Sequence, residues 1–349
     1  WQGKVTAQKG WSAFNRIGPS EKDFEDHEVL ETFYREAEGF IGRQKPEKPF
    51  FLFLALTAPH TPTSPGKKFQ GKAKLGLYGD FVMETDHAVG RVVNALQSKG
   101  LNKNTMVIFS SDHGAASYAG NIRKATPNQI KLLEKQGHYS GGGYRGYKFS
   151  VFEGGLRVPL IAKWPGTSPT GKTCDRLVGL NDLFATLSEI AGYKLPKGAA
   201  PDSVSFLSLL RDPGGEATRS TLVMQSISPM VVRENNWKLC LCPGSGSNGQ
   251  FAANPKSETA WKAALKSYGK KPRNHEELLR PPFLQLYDLD TDPGEKNNLA
   301  VEKPEVVERL VKKLKEQIAN GRSTPGPKLQ NGREKIHAMQ RVPAFVWKK

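Results

Sequence analysis

Two short apolar runs in the sequence each end in polar residues that can bind ions or move protons. Residues 49–56 lead to His60, and residues 105–109 lead to Asp112 and His113. Both runs are continuous and not alternating, as is typical of strands that helices cover on both faces. Ligands of open parallel sheets bind beyond the carboxyl ends of the strands. The sequence therefore predicts a site that contains His60, Asp112 and His113.

Each of the two loops taken alone has a simpler interpretation. Residues 59–62, Pro-His-Thr-Pro, are an ordinary turn sequence, and Asp112 is a suitable helix cap. Because both loops follow predicted strands that neighbour each other, a shared site is favoured over two unrelated structural features.

A helix connects the two predicted strands. Apolar residues recur at three- and four-residue steps from 78 to 100, where Gly100 is placed to end the helix. Strand, helix and strand in this order predict a right-handed parallel crossover. Further helices are predicted at 24–44 and 181–192, and a further strand at 158–164. This alternation predicts an α/β fold with a mainly parallel sheet flanked by helices.

The later part of the chain changes character. A hairpin at 230–241, a strand at 283–289 and a helix at 304–320 predict a smaller antiparallel α+β lobe. Single cores usually stop growing near ~250–300 residues, so a chain of 349 residues is expected to form two domains. We place them at 1–215 and 216–349, with a basic tail at the end of the second.

The composition restricts the class of partner. Hydrophobic residues make up 37% and charged residues 24%, as in globular proteins, and no apolar run approaches the ~20 residues of a membrane span. The formal net charge of +17 favours anionic partners, although solubility alone also explains it. Without zinc-finger spacing or an RNA-binding aromatic signature, nucleic acid is not expected. Three cysteines are too few for a disulfide framework.

Several blocks of the sequence, taken in order, resemble the sulfatase family. Their order and spacing agree with the family from about residue 24 to residue 320. The resemblance implies an alkaline-phosphatase-like catalytic domain that hydrolyses sulfate esters. The blocks that carry it are Pro49-Phe-Phe-Leu-Phe-Leu-Ala-Leu-Thr-Ala-Pro-His-Thr-Pro62, Tyr78-Gly-Asp-Phe-Val-Met-Glu-Thr-Asp-His-Ala-Val-Gly-Arg91, Ser111-Asp-His-Gly114, Tyr144-Arg-Gly-Tyr-Lys148, Phe152-Glu-Gly-Gly-Leu-Arg-Val-Pro159 and Leu286-Tyr-Asp-Leu-Asp-Thr-Asp-Pro-Gly-Glu-Lys-Asn-Asn-Leu299.

The resemblance implies roles for the candidate residues. Asp112 and His113 match two adjacent ligands of the family's calcium site, and a carboxylate oxygen suits calcium. Many family members have asparagine in place of His113, so a histidine bonded to a nearby carboxylate is an equally weighted interpretation. His60 matches a histidine that contacts the sulfate or donates a proton to the leaving group. Lys148 matches a lysine that clamps the sulfate.

Three residues of one glycine-rich loop keep alternative interpretations. Lys148 is flanked by aromatic residues. Its alternative interpretation is a surface lysine whose aliphatic stem lies over those aromatic side chains. Glu153 and its two following glycines lie in register with the family block, which favours the sulfate role for Lys148. His138 and Arg145 are candidates to line the substrate pocket, and a structural role has equal weight for each.

One part of the family pattern is absent from the sequence. Sulfatases take their formylglycine nucleophile from a Cys/Ser-x-Pro-x-Arg motif, and no cysteine or serine here has Pro at +2 and Arg at +4. The early Asp-Asp pair of the metal site and the Lys-x-His segment are also missing. Since all of these precede the matched region, the resemblance implies an N-terminally truncated domain. We expect the 349-residue chain alone to be inactive.

Three functional hypotheses follow. The first is a sulfuric ester hydrolase that acts on carbohydrate or aryl sulfates, with Ca2+ and, in the full-length enzyme, formylglycine. The second is a non-catalytic binder of sulfated glycans, and the third is a related phosphoesterase of the same superfamily. The resemblance also implies a periplasmic or secreted protein, although the chain begins at Trp1 and shows no signal peptide.

Overall fold

The computed structural model describes residues 24–119, 129–226, 229–242, 244–246 and 284–331. They fall into two compact units, which are described separately. Unit 1 comprises the described residues of Trp1–Val107, Ala116–Ser140 and Lys163–Gly166, and unit 2 those of Ile108–Ala115, Gly141–Ala162 and Thr167–Lys349. No described helix is both long and apolar enough to cross a membrane.

Unit 1 is built around two packed helices. Helix α1 spans Val29–Gly42 after a 3-10 turn, and helix α2 spans Gly76–Ser98. The buried residues of α1 recur at steps of three and four, so they form one stripe against α2. The predictions of helices at 24–44 and 78–100 are confirmed. The core of this pair consists of Leu30, Tyr34, Phe81 and Ala88 at one end and Ile41, Leu96 and Leu101 at the other.

The strand predicted at 49–56 is wrong, because residues 49–57 carry no regular secondary structure. Burial nevertheless alternates along the run. Phe50 and Leu52 pack against the cluster around Ile41, whereas Phe51 and Phe53 are 72% and 79% exposed. A strand is defined by hydrogen bonds to a neighbouring strand, and within the described part of the chain this run has no such neighbour.

The exposed Phe51 and Phe53 side chains are expected to promote self-association of the chain. Adjacent exposed aromatic side chains form an apolar patch of the kind that drives association. We expect the double variant Phe51→Ser/Phe53→Ser to remain monomeric at concentrations where the wild-type chain associates, as measured by analytical ultracentrifugation. The control is Phe50→Ser on the packed side of the same run, which should lower the unfolding temperature instead. Equal association of the double variant and the wild type would contradict this prediction.

Unit 2 contains an antiparallel sheet of four strands that pair in chain order, namely β3 at Thr221–Gln225, β4 at Met230–Glu234, β5 at Trp237–Cys240 and β6 at Gln285–Asp288. The predicted hairpin is confirmed: β4 and β5 pair in the register Val231–Cys240 to Glu234–Trp237, and Asn235 adopts a positive φ in the turn. The strand predicted at 283–289 is also confirmed.

The two faces of this sheet bury different partners. The helix predicted at 304–320 is confirmed over Pro304–Asn320 and covers one face, packing on residues such as Val232. The other face, which includes Val231, packs on Val151 and Phe152. Because neighbouring residues of a strand point to opposite faces, Val231 and Val232 belong to different clusters. The segment around Val151 therefore packs on the face of the four-stranded sheet opposite to the face that the helix Pro304–Asn320 covers.

The remaining elements are short. Strand β1 at Val107–Ser110 pairs with β2 at Leu160–Lys163 in a two-stranded sheet. The mainly parallel sheet stays a prediction, since β1 has only this partner among the described residues. Most of the basic tail predicted at 322–349, namely the part from residue 332, lies outside the described residues, as does most of the insertion between β5 and β6. The other helices are α3 at Gln129–Lys135, α4 at Glu153–Leu156, α5 at Asp182–Ile190 and α6 at Leu207–Arg211. The helix at Pro304–Asn320 is therefore α7.

Candidate active site

Two loops of unit 2 that carry predicted site residues are joined by backbone hydrogen bonds. The loop after β1 holds Asp112 and His113, and the loop before α4 holds Lys148. The Lys148 amide donates to the Ala115 carbonyl at 2.7 Å, and the Gly114 amide donates to the Gly155 carbonyl at 3.0 Å. The structure therefore brings the two predicted ligands and the predicted sulfate clamp onto adjoining loops.

Glycine is required where these loops meet. A Cβ atom on Gly114 would lie 1.9 Å from the carbonyl oxygen of Gly154. A Cβ atom on Gly154 would lie 2.3 Å from the carbonyl oxygen of Gly146. Such distances to backbone atoms cannot be relieved by moving a side chain, so the three chain segments can approach this closely only without side chains.

Asp112 and His113 contact each other. His113 Nε2 lies 3.2 Å from Asp112 Oδ2, and His113 Nδ1 lies 2.9 Å from the Gly114 carbonyl oxygen. A carbonyl only accepts, so Nδ1 carries a proton and a neutral ring presents its Nε2 lone pair to the carboxylate. That contact is attractive only when a proton or a metal cation lies between the two atoms. The geometry thus suits both interpretations of His113 made from the sequence.

The two residues do not by themselves satisfy calcium. Calcium takes about six to eight oxygen ligands, whereas Asp112 and His113 supply one carboxylate and one ring nitrogen. In the part of the chain that the structure describes, no group of three or more His, Cys, Asp or Glu side chains is placed to hold a metal ion. The described residues therefore supply only part of a calcium site, and the metal stays a prediction.

Arg145 is anchored within unit 2. Its Nη1 donates to the Glu295 carbonyl at 2.6 Å and to the Tyr287 hydroxyl at 3.3 Å. Its guanidinium also lies 3.8 Å from the centre of the Phe152 ring. These contacts give Arg145 a structural role at the start of the Lys148 loop. The substrate-lining role stays a prediction.

His60 and His138 belong to unit 1, and each contacts a tyrosine. His60 Nε2 lies 3.1 Å from the Tyr118 hydroxyl, and His60 Nδ1 lies 2.5 Å from the Thr61 carbonyl oxygen. Because the carbonyl accepts from Nδ1, the Nε2 atom of a neutral His60 accepts from Tyr118. The His138 ring packs edge-on against Tyr78. The convergence of His60 with the Lys148 loop stays a prediction.

Comparison with known proteins identifies the family. A family model described as Sulfatase matches residues 13–193, which is more than half of the chain. The chain belongs to the sulfatase family. Two curated relatives agree with this assignment. N-acetylgalactosamine-6-O-sulfatase of Bacteroides thetaiotaomicron is 33% identical over 82% of this chain and 50% of that protein. N-acetylgalactosamine-6-sulfatase of Canis lupus familiaris is 30% identical over 81% of this chain and 50% of that protein.

Solved sulfatase structures support the same fold. A structure from work on glycosaminoglycan metabolism by Bacteroides thetaiotaomicron matches with a TM-score of 0.70 and 29% identity, covering 86% of this chain and 56% of that one. A sulfatase from Pseudoalteromonas sp. matches with a TM-score of 0.64 at 19% identity, covering 94% of this chain and 56% of that one, and shows the fold alone. The chain spans about half the length of the relatives it matches.

A buried ion cluster beneath the Lys148 loop was not predicted from the sequence. Lys238 of β5 is fully buried, and its Nζ lies 2.8 Å from Glu153 Oε1 and 2.8 Å from Glu295 Oε1. The Glu153 amide also donates to Glu295 Oε2 at 2.6 Å. The cluster therefore ties the start of α4, directly after the Lys148 loop, to the antiparallel sheet of unit 2.

The pKa values of the two carboxyls in this cluster are shifted in opposite directions. Burial raises the pKa of Glu295, and Lys238 offsets that effect only in part. Burial also opposes ionisation of Glu153, but Lys238, Arg233 and Arg157 outweigh it and leave the pKa of Glu153 below its ordinary value. A lysine inside the apolar run Trp237-Lys-Leu-Cys240 was the available sequence signal, because a buried charge needs a partner.

Proposed function

We propose that this protein hydrolyses sulfate esters of carbohydrates. The supporting observation is the hydrogen-bonded junction that holds Asp112, His113 and Lys148 on adjoining loops of a sulfatase fold. The substrate class follows from the relatives, which are N-acetylgalactosamine-6-sulfatases. Aryl sulfates are expected to serve as artificial substrates, since the reacting group is the same.

Each residue has a chemical task in this proposal. Cleavage of the sulfur–oxygen ester bond gathers negative charge on the sulfuryl oxygens and on the leaving oxygen. Lys148 places a positive charge against the sulfuryl oxygens. His60 donates a proton to the leaving oxygen, which departs as a sugar hydroxyl. Asp112 and His113 contribute two donors toward a divalent cation, proposed to be calcium, which would polarise the sulfate when bound.

The remaining parts of the proposal concern organisation. The division into a catalytic domain at 1–215 and a lobe at 216–349 is retained, as are Arg145 and His138 as residues near the substrate. A periplasmic or secreted location belongs to the same proposal. No nucleophile is assigned among the described residues, and we expect the 349-residue chain alone not to turn over.

The test is an assay of the protein expressed from its whole coding sequence. N-acetylgalactosamine 6-sulfate and the paired nitrophenyl sulfate and phosphate esters serve as substrates. Lys148→Ala is expected to lower kcat/KM for the sulfate esters by about 10²- to 10³-fold, the effect of removing one donor that stabilises an oxyanion. Lys172→Ala, which removes an exposed lysine of the same unit, should leave the rate unchanged.

Three outcomes would contradict the proposal or one of its parts. Faster cleavage of the phosphate ester than of the sulfate ester would favour the related phosphoesterase. Binding of the sulfated sugar without turnover by the whole protein would favour a non-catalytic binder. Full activity of Lys148→Ala would show that Lys148 does not clamp the sulfate.

A further inference from the structure

Lys148 lies in a tight turn whose backbone is strained. The Ser150 amide donates to the Tyr147 carbonyl at 3.0 Å and so closes a β-turn, in which Lys148 and Phe149 are the central residues. Phe149 adopts a φ of 73°, in the left-handed region that glycine favours. A bulky side chain occupies this region only at a cost in free energy, and it stays there where surrounding contacts fix it. The contacts around the turn therefore determine whether Lys148 keeps its place.

A serine of the antiparallel lobe holds the strained residue. Ser226 directly follows β3 and donates its hydroxyl to the Phe149 carbonyl at 2.6 Å. Two residues further along the loop, the Val151 amide donates to the Ser245 carbonyl at 2.9 Å. Ser226 is 77 residues away from Phe149 in the chain, so this bond is a tertiary contact and not a part of the turn itself. The segment after Lys148 is thus fixed from outside the loop.

One residue of the segment after β6 holds both ends of the Lys148 loop. The Glu295 carbonyl accepts from Arg145 Nη1 at 2.6 Å, and the Glu295 carboxylate accepts from the Glu153 amide at 2.6 Å. The Gly154 amide also donates to the Arg145 carbonyl at 2.7 Å, so the ends of the loop lie together. Glu295 is fully buried and has a φ of 53°, which makes it a second non-glycine residue in the left-handed region. Its contacts fix the two ends between which Lys148 lies.

The position of this turn matters because a lysine carries its charge on a long stem. The stem is flexible, so the backbone of Lys148 has to be held if the ammonium group is to meet the sulfuryl oxygens. The turn is also joined to the loop of Asp112 by the bond from the Lys148 amide to the Ala115 carbonyl. A shift of the turn would therefore change the distance between Lys148 and the predicted metal ligands.

We propose that Ser226 and Glu295 are positioning residues, which act on the reaction through Lys148. The inference rests on the proposed function, because it takes Lys148 to be the residue that clamps the sulfate. Neither Ser226 nor Glu295 contacts the substrate in this proposal, and each stabilises the strained turn by holding groups of the loop or of its ends. The antiparallel lobe thereby serves the active site without lining it.

The test is a double-mutant cycle on the protein expressed from its whole coding sequence. Glu295→Ala removes the carboxylate and should lower kcat/KM for N-acetylgalactosamine 6-sulfate by about 100-fold, the effect of a misplacement of about 1 Å. Ser226→Ala removes one hydrogen bond and should lower kcat/KM by about tenfold. When Lys148→Ala is also present, neither substitution should lower the rate further by more than about twofold, because the group that each positions is gone. Rates are compared per folded protein, as measured by circular dichroism.

A conservative variant distinguishes positioning from a loss of charge. Glu295→Gln removes the charge that faces Lys238 but keeps an oxygen that can accept from the Glu153 amide. It should therefore restore most of the activity that Glu295→Ala loses. A residue that only balances the charge of Lys238 would show the same loss in both variants, and that result would overturn the role given to Glu295.

A second serine variant controls for the loss of a hydroxyl. Ser188 donates its hydroxyl to the Phe184 carbonyl at 2.8 Å within α5, so Ser188→Ala matches Ser226→Ala away from the loop. It should leave kcat/KM unchanged, and a loss equal to that of Ser226→Ala would overturn the inference. If Glu295→Ala does not fold, the Ser226→Ala cycle decides in its place. Equal losses from Ser226→Ala with and without Lys148 would also overturn the inference.

Hydrogen exchange of the same proteins separates this inference from the proposed hydrolysis. The amides of Lys148, Ser150 and Gly154 are hydrogen-bonded, so Glu295→Ala should speed exchange in residues 145–155 and leave exchange in α5 unchanged. Faster exchange in a protein that cleaves no sulfate ester would reject the proposed function but support the holding of the turn by Glu295. Unchanged exchange in residues 145–155 would overturn the inference, whether or not the protein is active.

Discussion

Replacing Lys238 with methionine is expected to lower the free energy of unfolding by about 3–5 kcal/mol. Lys238 is completely buried and faces the carboxylates of Glu153 and Glu295 at 2.8 Å each. Its removal leaves two buried carboxylates without their shared counter-charge, although Arg233 stays 3.5 Å from Glu153. The measurement is chemical denaturation followed by circular dichroism at neutral pH.

The pH dependence of this deficit provides an internal check. Burial already raises the folded-state pKa of Glu295 above the unfolded value, and the loss of Lys238 removes the charge that partly offsets this shift. A carboxyl with a raised folded-state pKa does not destabilise the folded protein below its unfolded pKa, but costs stability as the pH rises through the folded pKa. The stability lost by the variant should therefore shrink as the pH falls toward 4.5, the ordinary pKa of a glutamate carboxyl. If the stability lost by the variant changes by less than about 1 kcal/mol between pH 4 and pH 8, the electrostatic explanation is contradicted.

The matched control for Lys238 is an ion pair at the surface of the same lobe. Arg309 Nε lies 2.8 Å from Glu234, but the Arg309 side chain is 45% exposed. Arg309→Met should therefore cost less than about 1 kcal/mol, as is usual for exposed pairs. Similar losses for the two variants would show that burial does not decide the effect.

Gly114→Ala is expected to disrupt the junction between the two loops of the candidate active site. The added Cβ would lie 1.9 Å from the Gly154 carbonyl oxygen, so one backbone segment must move away. Forced overpacking costs about 1–3 kcal/mol of stability. A displacement of Lys148 by about 1 Å relative to Asp112 should also lower turnover by the whole protein about 100-fold.

Gly90→Ala is the matched control for the junction variant. Gly90 lies inside α2, and its added Cβ would meet nothing within 4 Å. The substitution should stabilise the chain by about 0.5–1 kcal/mol, because alanine is a better helix residue. The junction argument fails if Gly114→Ala retains wild-type turnover and wild-type stability.

Local patterns in the sequence were sufficient for most helices and for the lobe. The helix predicted at 304–320 has those bounds in the structure, with its apolar stripe buried and Gly321 in a left-handed conformation after it. The hairpin at 230–241 is likewise placed correctly. These elements depend on residues a few positions apart, which a linear pattern records. The same holds for the family blocks around Asp112 and Lys148.

Only the tertiary structure decided what depends on partners distant in the chain. The apolar run at 49–56 has the composition of a strand, yet strand pairing requires a neighbour that composition cannot supply. Arg145 was given equal weight as a pocket residue and as a structural residue, and the structure shows that it donates to Glu295 and Tyr287, more than a hundred residues away. The partners of Lys238, Glu153 and Glu295, are also distant in the chain. The sequence by itself therefore determined the family, the helices and the candidate residues, whereas long-range contacts determined which side chains are anchored, paired or exposed.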